Sequence, residues 1–220
     1  MNGITTIALV EDHVLFRRML ATFINSFEGY RVIYEASNGA EFIKQTENSL
    51  KPELVLLDLN MPVMDGFDTA FWIKQHHPKM QVMMLTMYYS ELTLIRLLQA
   101  GVKGFLKKDV EPMELKLAIH SVITSGYYYS QMAAARIAQV FQAPDQHSSK
   151  IRDLVLDSRQ IEFLKLACSD LTYKEIAHSM ALSLRNIDAL RDQLFIKLDV
   201  KSRVGLAMVA IRNGVVSFDA

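Results

Sequence analysis

Cysteine is nearly absent: Cys168 is the only one in 220 residues, so no disulfide can form within the chain. That suits a reducing compartment. Cys168 itself falls in an apolar helical pattern, where packing rather than redox chemistry is expected. No apolar run approaches the roughly 18 residues that cross a bilayer. The start, MNGITTIALVEDH, carries neither the basic stretch nor the cleavage site of a secretory signal. A cytoplasmic location without a membrane partner is the expectation. Net charge is missing too, with 24 basic against 24 acidic residues, which argues against indiscriminate binding to nucleic acid. Residues 1–130 carry 12 basic and 14 acidic groups and residues 151–220 carry 10 and 9. Any contact with DNA must therefore rest on a local patch. Repeats and low-complexity segments are also lacking.

What is there reads as two modest domains, because 220 residues exceed most single cores. The first 126 residues alternate two periodicities. Short β-rich runs stand at 6–10, 31–36, 54–58, 82–86 and 103–107, and helical spacing at 14–27, 39–48, 66–76, 91–100 and 112–125. Gly29, Pro52, Pro78 and Gly101 punctuate the boundaries. Five strands alternating with five helices predict a doubly wound α/β domain over 1–126, with a parallel sheet covered on both faces. An Ala-rich helical piece, 131–142, and the polar stretch APDQHSSK follow, and 127–150 reads as a linker with a helical segment. Residues 151–220 lose the β signal. Four short helices are predicted at 157–168, 172–180, 184–198 and 202–213, capped by Asp157 with Gln160, Thr172 with Glu175, Ser183 and Ser202.

In an open parallel sheet, ligands sit at the carboxyl ends of the strands. Glu11 and Asp12 follow the first strand, Asp58 ends the third, Thr86 ends the fourth and Lys108 follows the fifth. One acid at a strand end reads as a helix cap; three acids, a hydroxyl and a lysine at one edge read as a site. Crowded carboxylates repel unless a cation neutralises them, and hard oxygen donors favour Mg²⁺. An ionised aspartate beside such a cation can attack a phosphoryl group, since that reaction needs mainly positioning and charge neutralisation. His76 and His77, at a helix end before Pro78, are expected to face solvent. The tyrosines of GYYYS, 126–130, are expected to pack a domain junction.

The strings EDH (11–13), VLLDLNMPVMDG (55–66), LTM (85–87) and KGFLKKD (103–109) resemble a CheY-like, flavodoxin-like receiver domain over roughly residues 4–125. The resemblance implies that Asp58 accepts a phosphoryl group from a sensor histidine kinase. It further implies that Glu11, Asp12, Asp58 and the backbone carbonyl of Asn60 hold Mg²⁺ or Mn²⁺. Thr86 and Lys108 would contact the phosphoryl group, and Phe105 would be the aromatic that turns inward when Thr86 moves. Many receivers place proline after the lysine; Asp109 stands there in this chain.

Residues 156–206 resemble the LuxR-type helix-turn-helix of NarL/FixJ regulators, through TYKEIA, Ser183, Ile187 and the K-L-x-V-x-S-R string at 197–203. Pattern alone equally allows a four-helix protein-binding module. The helix SLRNIDALRDQLF would enter the major groove, with Ile187, Leu190 and Leu194 inward and Arg185, Asn186, Asp188, Ala189, Asp192 and Gln193 outward. Familiar members often carry lysine where Asp188 and Asp192 stand, although a branch of the family resembles this chain with R-x-x-D-x-x-R-D there; an aspartate is repelled by phosphates but can accept from cytosine N4. Phosphate anchoring would fall to Lys174, Arg185, Arg191, Lys201 and Arg203, with Thr172, Tyr173 and Asn186 as neutral donors.

Joined in this order, the halves predict a two-component response regulator whose phosphorylation controls DNA binding, as a homodimer on double-stranded DNA. Val204, Leu206, Ala207, Val209 and Ala210 offer a dimer face, or equally the core of the small domain. An aspartyl-phosphate enzyme would want an acid two residues after the nucleophile, where Asn60 stands. Slow self-dephosphorylation does not make the chain an enzyme. The third reading is a protein-binding output through the acidic helix 184–198.

Overall fold

The structure is a computed structural model describing residues 3–47, 49–87, 91–130, 134, 156–213 and 215–216. The predicted helix 131–142, apart from Ala134, and the polar stretch 143–150 lie outside the described residues. Two compact units divide the chain, residues 1–88 with 94–136 and residues 137–220 with 89–93.

In the first unit, strands and helices alternate as the periodicities predict. They are β1 (Thr5–Val10), α1 (Val14–Asn25), β2 (Tyr30–Ala36), α2 (Gly39–Thr46), β3 (Leu54–Asp58), α3 (Gly66–His76), β4 (Gln81–Thr86), α4 (Glu91–Gln99), β5 (Gly104–Lys107) and α5 (Pro112–Ser125). All pairings are parallel. Every residue of β3 is buried, which is why its sequence is an unbroken apolar run: both faces lie under helices. A cluster of Ile7, Leu9, Leu54, Leu56, Met83 and Leu85 packs against Leu20 and Ile24 of α1 and Leu115 and Ile119 of α5.

The sheet has six strands, one more than the sequence reading expects, in the order β2-β1-β3-β4-β5-β6. The addition, β6 (Tyr128–Tyr129), is two residues long. Gly126, with φ +86°, caps α5 in the left-handed region and turns the chain back along β5. The Tyr128 amide then donates to the Lys103 carbonyl at 2.9 Å. The tyrosines of GYYYS thus extend the sheet: Tyr129 packs its ring 5.0 Å from that of Phe105, and Tyr128 Oη donates to Glu114 Oε1 at 2.9 Å.

The second unit is helical: α6 (Ser158–Ala167), α7 (Tyr173–Ser179), α8 (Leu184–Lys197) and α9 (Arg203–Arg212). The expected caps all form. Asp157 with Gln160 and Thr172 with Glu175 are complete capping boxes, and Ser183 and Ser202 accept from the amides of Asn186 and Gly205. Each satisfies amide donors that a helix start leaves orphaned. Phe163, Leu164, Ile176, Ile187, Leu194, Leu206 and Ala210 form the core. Between α7 and α8, Ala181 takes φ +52° and the Leu182 amide donates back to the Ala177 carbonyl at 2.9 Å. That tight turn sets the two helices as a helix-turn-helix pair.

Candidate functional site

The order of the sheet reverses between β1 and β3, so the carboxyl ends of these neighbours open a crevice. Asp58 is the last residue of β3 and only 4 % exposed. Its Oδ1 accepts from the Leu59 amide at 2.7 Å, and its Oδ2 lies 2.9 Å from Lys108 Nζ. Glu11, also buried, follows β1 and lies with Oε2 at 2.8 Å and Oε1 at 3.1 Å from the same ammonium. The Arg17 guanidinium donates to the Glu11 carbonyl and pins the loop from α1. Lys108 is delivered by β5, its amide donating to the Thr86 carbonyl at 2.9 Å. Gly66 closes the β3–α3 loop: a Cβ there would sit 2.2 Å from the Asp58 carbonyl oxygen.

The electrostatics follow from two carboxylates sharing one lysine. Burial, then the charge of Glu11, pushes the Asp58 carboxyl up to about 6 in spite of Lys108. Burial pulls the Lys108 ammonium down, but Asp58 and Glu11 together outweigh it and hold the pKa above the usual value. Glu11 Oε2 and Asp12 Oδ1 are buried without a hydrogen-bond donor in good geometry, their close nitrogens being ion-pair neighbours only. One donor atom each from Glu11, Asp12, His13 and Asp58 lies within 4.8 Å of the others. Unsatisfied hard oxygens in so small a space fit a divalent cation of the Mg²⁺ kind. His13 joins the acids in this cluster, a member that the strand-end pattern does not mark. Its Nδ1 lies 3.0 Å from Glu11 Oε1 and 2.8 Å from Asp12 Oδ1, and both acids raise its pKa. Only its place beside the acid pair could have signalled this.

Of the other residues expected here, Thr86 ends β4 and is buried, and Asn60 is exposed in the loop beyond β3. Phe105 is fully buried and packs against Tyr129. His76 is exposed and its ring stacks on Trp72 at 4.8 Å.

In the helical unit, Ile187 and Leu194 face the core and Leu190 is half-buried, as the spacing requires. Arg185, Asn186, Ala189, Asp192 and Gln193 are exposed on α8; Thr172 and Lys174 are exposed at the start of α7, and Lys201 before α9. Two expected phosphate anchors are otherwise engaged. Arg203 donates from Nε to the Ala167 carbonyl at 2.8 Å and from Nη2 to the Ser169 carbonyl at 2.6 Å. It therefore caps the carboxyl end of α6, whose last carbonyls lack helical partners. Arg191 donates to Asp192 Oδ1 from Nε at 2.9 Å and Nη2 at 2.8 Å, and to Asp188 Oδ1 from Nη1 at 2.9 Å. Tyr173 lies beneath both guanidiniums, 5.3 Å from that of Arg191 and 5.5 Å from that of Arg203. On α9 the expected dimer face divides. Leu206 and Ala210 belong to the core, Ala207 and Val209 are half-buried and Val204 is 72 % exposed; Met208, outside the expected face, is 47 % exposed beside it.

Comparison with known proteins agrees with this geometry. Residues 7–120 match the family described as "Response regulator receiver domain", and residues 154–210 match "Bacterial regulatory proteins, luxR family". The chain is 29 % identical to response regulator GacA of Pseudomonas viridiflava, over 97 % of this chain and 99 % of that one. It is 27 % identical to response regulator UvrY of Escherichia coli K12, over 94 % of each. RcsB of Salmonella enterica serovar Typhimurium, solved bound to the rprA promoter in the presence of the phosphomimetic BeF3⁻, shares the fold. Its TM-score is 0.69 at 20 % identity, over 94 % of this chain and 98 % of that one. No described helix is long and apolar enough to cross a membrane. The chain belongs to the response regulator family: it is a two-component regulator of the NarL/FixJ type, a receiver joined to a LuxR-type DNA-binding domain.

Proposed function

We propose that Asp58 is the phosphoacceptor and that its phosphorylation by a sensor histidine kinase governs binding of a homodimer to double-stranded DNA. The receiver would span 1–126, the linker 127–150 and the DNA-binding domain 151–220, in the cytoplasm. One observation carries the reading: a buried aspartate at the end of β3 meets Lys108 at 2.9 Å and shares it with Glu11.

Glu11, Asp12, Asp58 and the Asn60 carbonyl would hold Mg²⁺ or Mn²⁺, which when bound supplies the positive charge that lets three acids and a phosphoryl group share the crevice. Asp58 attacks phosphorus; the bond to the imidazole nitrogen of the donor breaks and its electron pair returns to that ring. Lys108 exchanges its carboxylate partner for a phosphoryl oxygen, a charge-assisted bond that the new negative charge strengthens. The Thr86 hydroxyl, at the end of the neighbouring strand, donates to a second oxygen. Phe105, packed on Tyr129, holds the space that Thr86 leaves. Asn60 stands where an aspartyl-phosphate hydrolase would carry an acid, so water attacks slowly and the phosphoryl group persists as a signal.

On α8 and α7, Arg185, Asn186, Ala189, Lys174 and Thr172 are exposed for the groove and its phosphates, and Lys201 adds a charge from the loop before α9. Solved complexes of RcsB with DNA support this orientation of function. Incubation with acetyl phosphate and Mg²⁺ tests the reading. Intact-protein mass spectrometry is expected to show one added phosphoryl group, lost in Asp58→Ala. An undiminished adduct in that variant would overturn it.

A further inference from the structure

The two aspartates of the recognition helix look misplaced in a groove lined by phosphates. Their surroundings explain how they are tolerated. On α8, Arg185, Ala189, Asp192 and Ile196 recur at the spacing of one helix face and all are exposed, opposite the Ile187–Leu194 seam. Asp188 flanks that face. Arg191 stands nearer the seam, three-quarters buried in its side chain. From there its fork reaches both acids, one hydrogen bond to Asp188 and two to Asp192, each to Oδ1 alone.

Exposed ion pairs are ordinarily worth little, because two long side chains must be held in one geometry against solvent. Here the cation is already held. Its guanidinium carbon lies 5.3 Å from the ring centroid of Tyr173 on α7 and 5.9 Å from that of Phe195. A planar fork ordered in this way fixes both carboxylates and cancels one of their two charges. The oxygens left over are pure acceptors. In the major groove an acceptor finds a donor only at an exocyclic amino group, N4 of cytosine or N6 of adenine.

We propose that Arg191 is a positioning residue that holds Asp188 and Asp192 as fixed, charge-balanced acceptors for the exocyclic amino group of a base, and that Asp192 makes the contact. The inference rests on α8 being the groove-reading helix. It replaces the phosphate-anchoring role expected of Arg191 with a role in specificity.

The test uses the full-length protein treated with beryllofluoride and a randomised pool of duplex DNA. Wild-type protein is expected to select cytosine or adenine at a defined position of each half-site. Asp192→Ala loses that preference, roughly tenfold in relative affinity, with its helical content unchanged. In the selected fragment, pyrimidin-2-one for cytosine or purine for adenine deletes only the amino group and distinguishes the two bases. That deletion weakens wild-type binding and leaves Asp192→Ala unaffected.

Arg191→Met is expected to blur the same position, and Arg191→Lys to restore part of it. In an Asp188→Asn, Asp192→Asn background, Arg191→Met changes neither affinity nor its salt dependence. Three results would overturn the proposal: a preference that survives Asp192→Ala, an amino deletion without effect on wild type, or a loss of about one phosphate's worth of salt dependence on Arg191→Met in the neutralised background. Wild-type protein that selects no DNA would remove the DNA-binding function itself, and this role with it.

Discussion

Lys108 Nζ sits 2.9 Å from Asp58 Oδ2 and bridges to Glu11, so one ammonium serves two buried carboxylates. Removing it leaves two like charges side by side, with only the exposed His13 ring near Glu11 to offset them. Breaking a buried pair from one side costs about 3 kcal/mol or more. Lys108→Met is therefore expected to lower stability by that order in chelator-treated buffer. Adding Mg²⁺ should return more stability to this variant than to wild type, since a second cation takes over the vacated role. Urea denaturation with and without Mg²⁺ reads both numbers. Equal gains in the two proteins would mean that the lysine and the metal do not compensate the same charges.

Asp58 itself should carry a stability cost that depends on pH. Its carboxyl is raised in the fold from 3.8 to about 6, by burial first and by Glu11 second. A raised folded pKa contributes stability that is full below the unfolded value and is lost as pH rises through about 6. At neutral pH the ionised group is thus unfavourable, by at most about 3 kcal/mol for a shift of this size. Asp58→Asn is expected to stabilise the metal-free protein at pH 7.5, by about 2 kcal/mol after allowing for residual solvent, and to have little effect near pH 4. A gain of equal size at both pH values would point to packing instead.

The glycine after Asp65 gives a sharper test of the loop beyond the phosphoacceptor. Gly66 opens α3, where alanine would ordinarily be favoured by about 1 kcal/mol. Its Cβ would fall 2.2 Å from the Asp58 carbonyl oxygen and 2.8 Å from Leu59 Cα, both backbone atoms that cannot swing aside. The clash should win. Gly66→Ala is expected to cost about 2 kcal/mol net and to slow phosphorylation from acetyl phosphate, because Asp58 and Leu59 must shift together. Stopped denaturation curves and a phosphorylation time course measure the two effects. A variant as stable and as reactive as wild type would show that the loop yields freely.

Some features of the fold are legible in the sequence and others are not. Strands buried on both faces, such as Leu54–Asp58, announce themselves as apolar runs, and acids at their ends stand out against that background. Helix starts are equally readable, because capping is local: Asp157 with Gln160 needs no distant partner. The two-residue β6 is too short to carry a period, and its pairing depends on where Gly126 sends the chain. Arginines are hardest of all. Nothing local reveals that Arg203 will cap α6 from 36 residues away in sequence, or that Arg191 will turn to its own helix neighbours instead of outward. His13 was hidden for the opposite reason, since its neighbours in sequence are its partners and it reads as part of their motif.

The division of α9 leads to the last prediction. Leu206 and Ala210 point into the small domain, so mutating them would unfold it and say nothing of association. Val204 and Met208 lie one turn apart on the outer side, an apolar pair that the domain's own core does not use. On a two-fold axis such a pair would meet its own copy, as an isologous interface requires. Val204→Glu with Met208→Glu should leave thermal stability within about 0.5 kcal/mol, as substitutions at exposed positions usually do. Against that constant background, four carboxylates would face one another across the dimer. Beryllofluoride-treated protein is then expected to bind an isolated half-site as wild type does but to lose roughly tenfold or more on a full two-half-site fragment, where linked binding multiplies affinity. Sedimentation of the activated variant with DNA should show one protomer per fragment. If two protomers still bind cooperatively, association runs through another face, and the exposure of Val204 and Met208 serves some other contact.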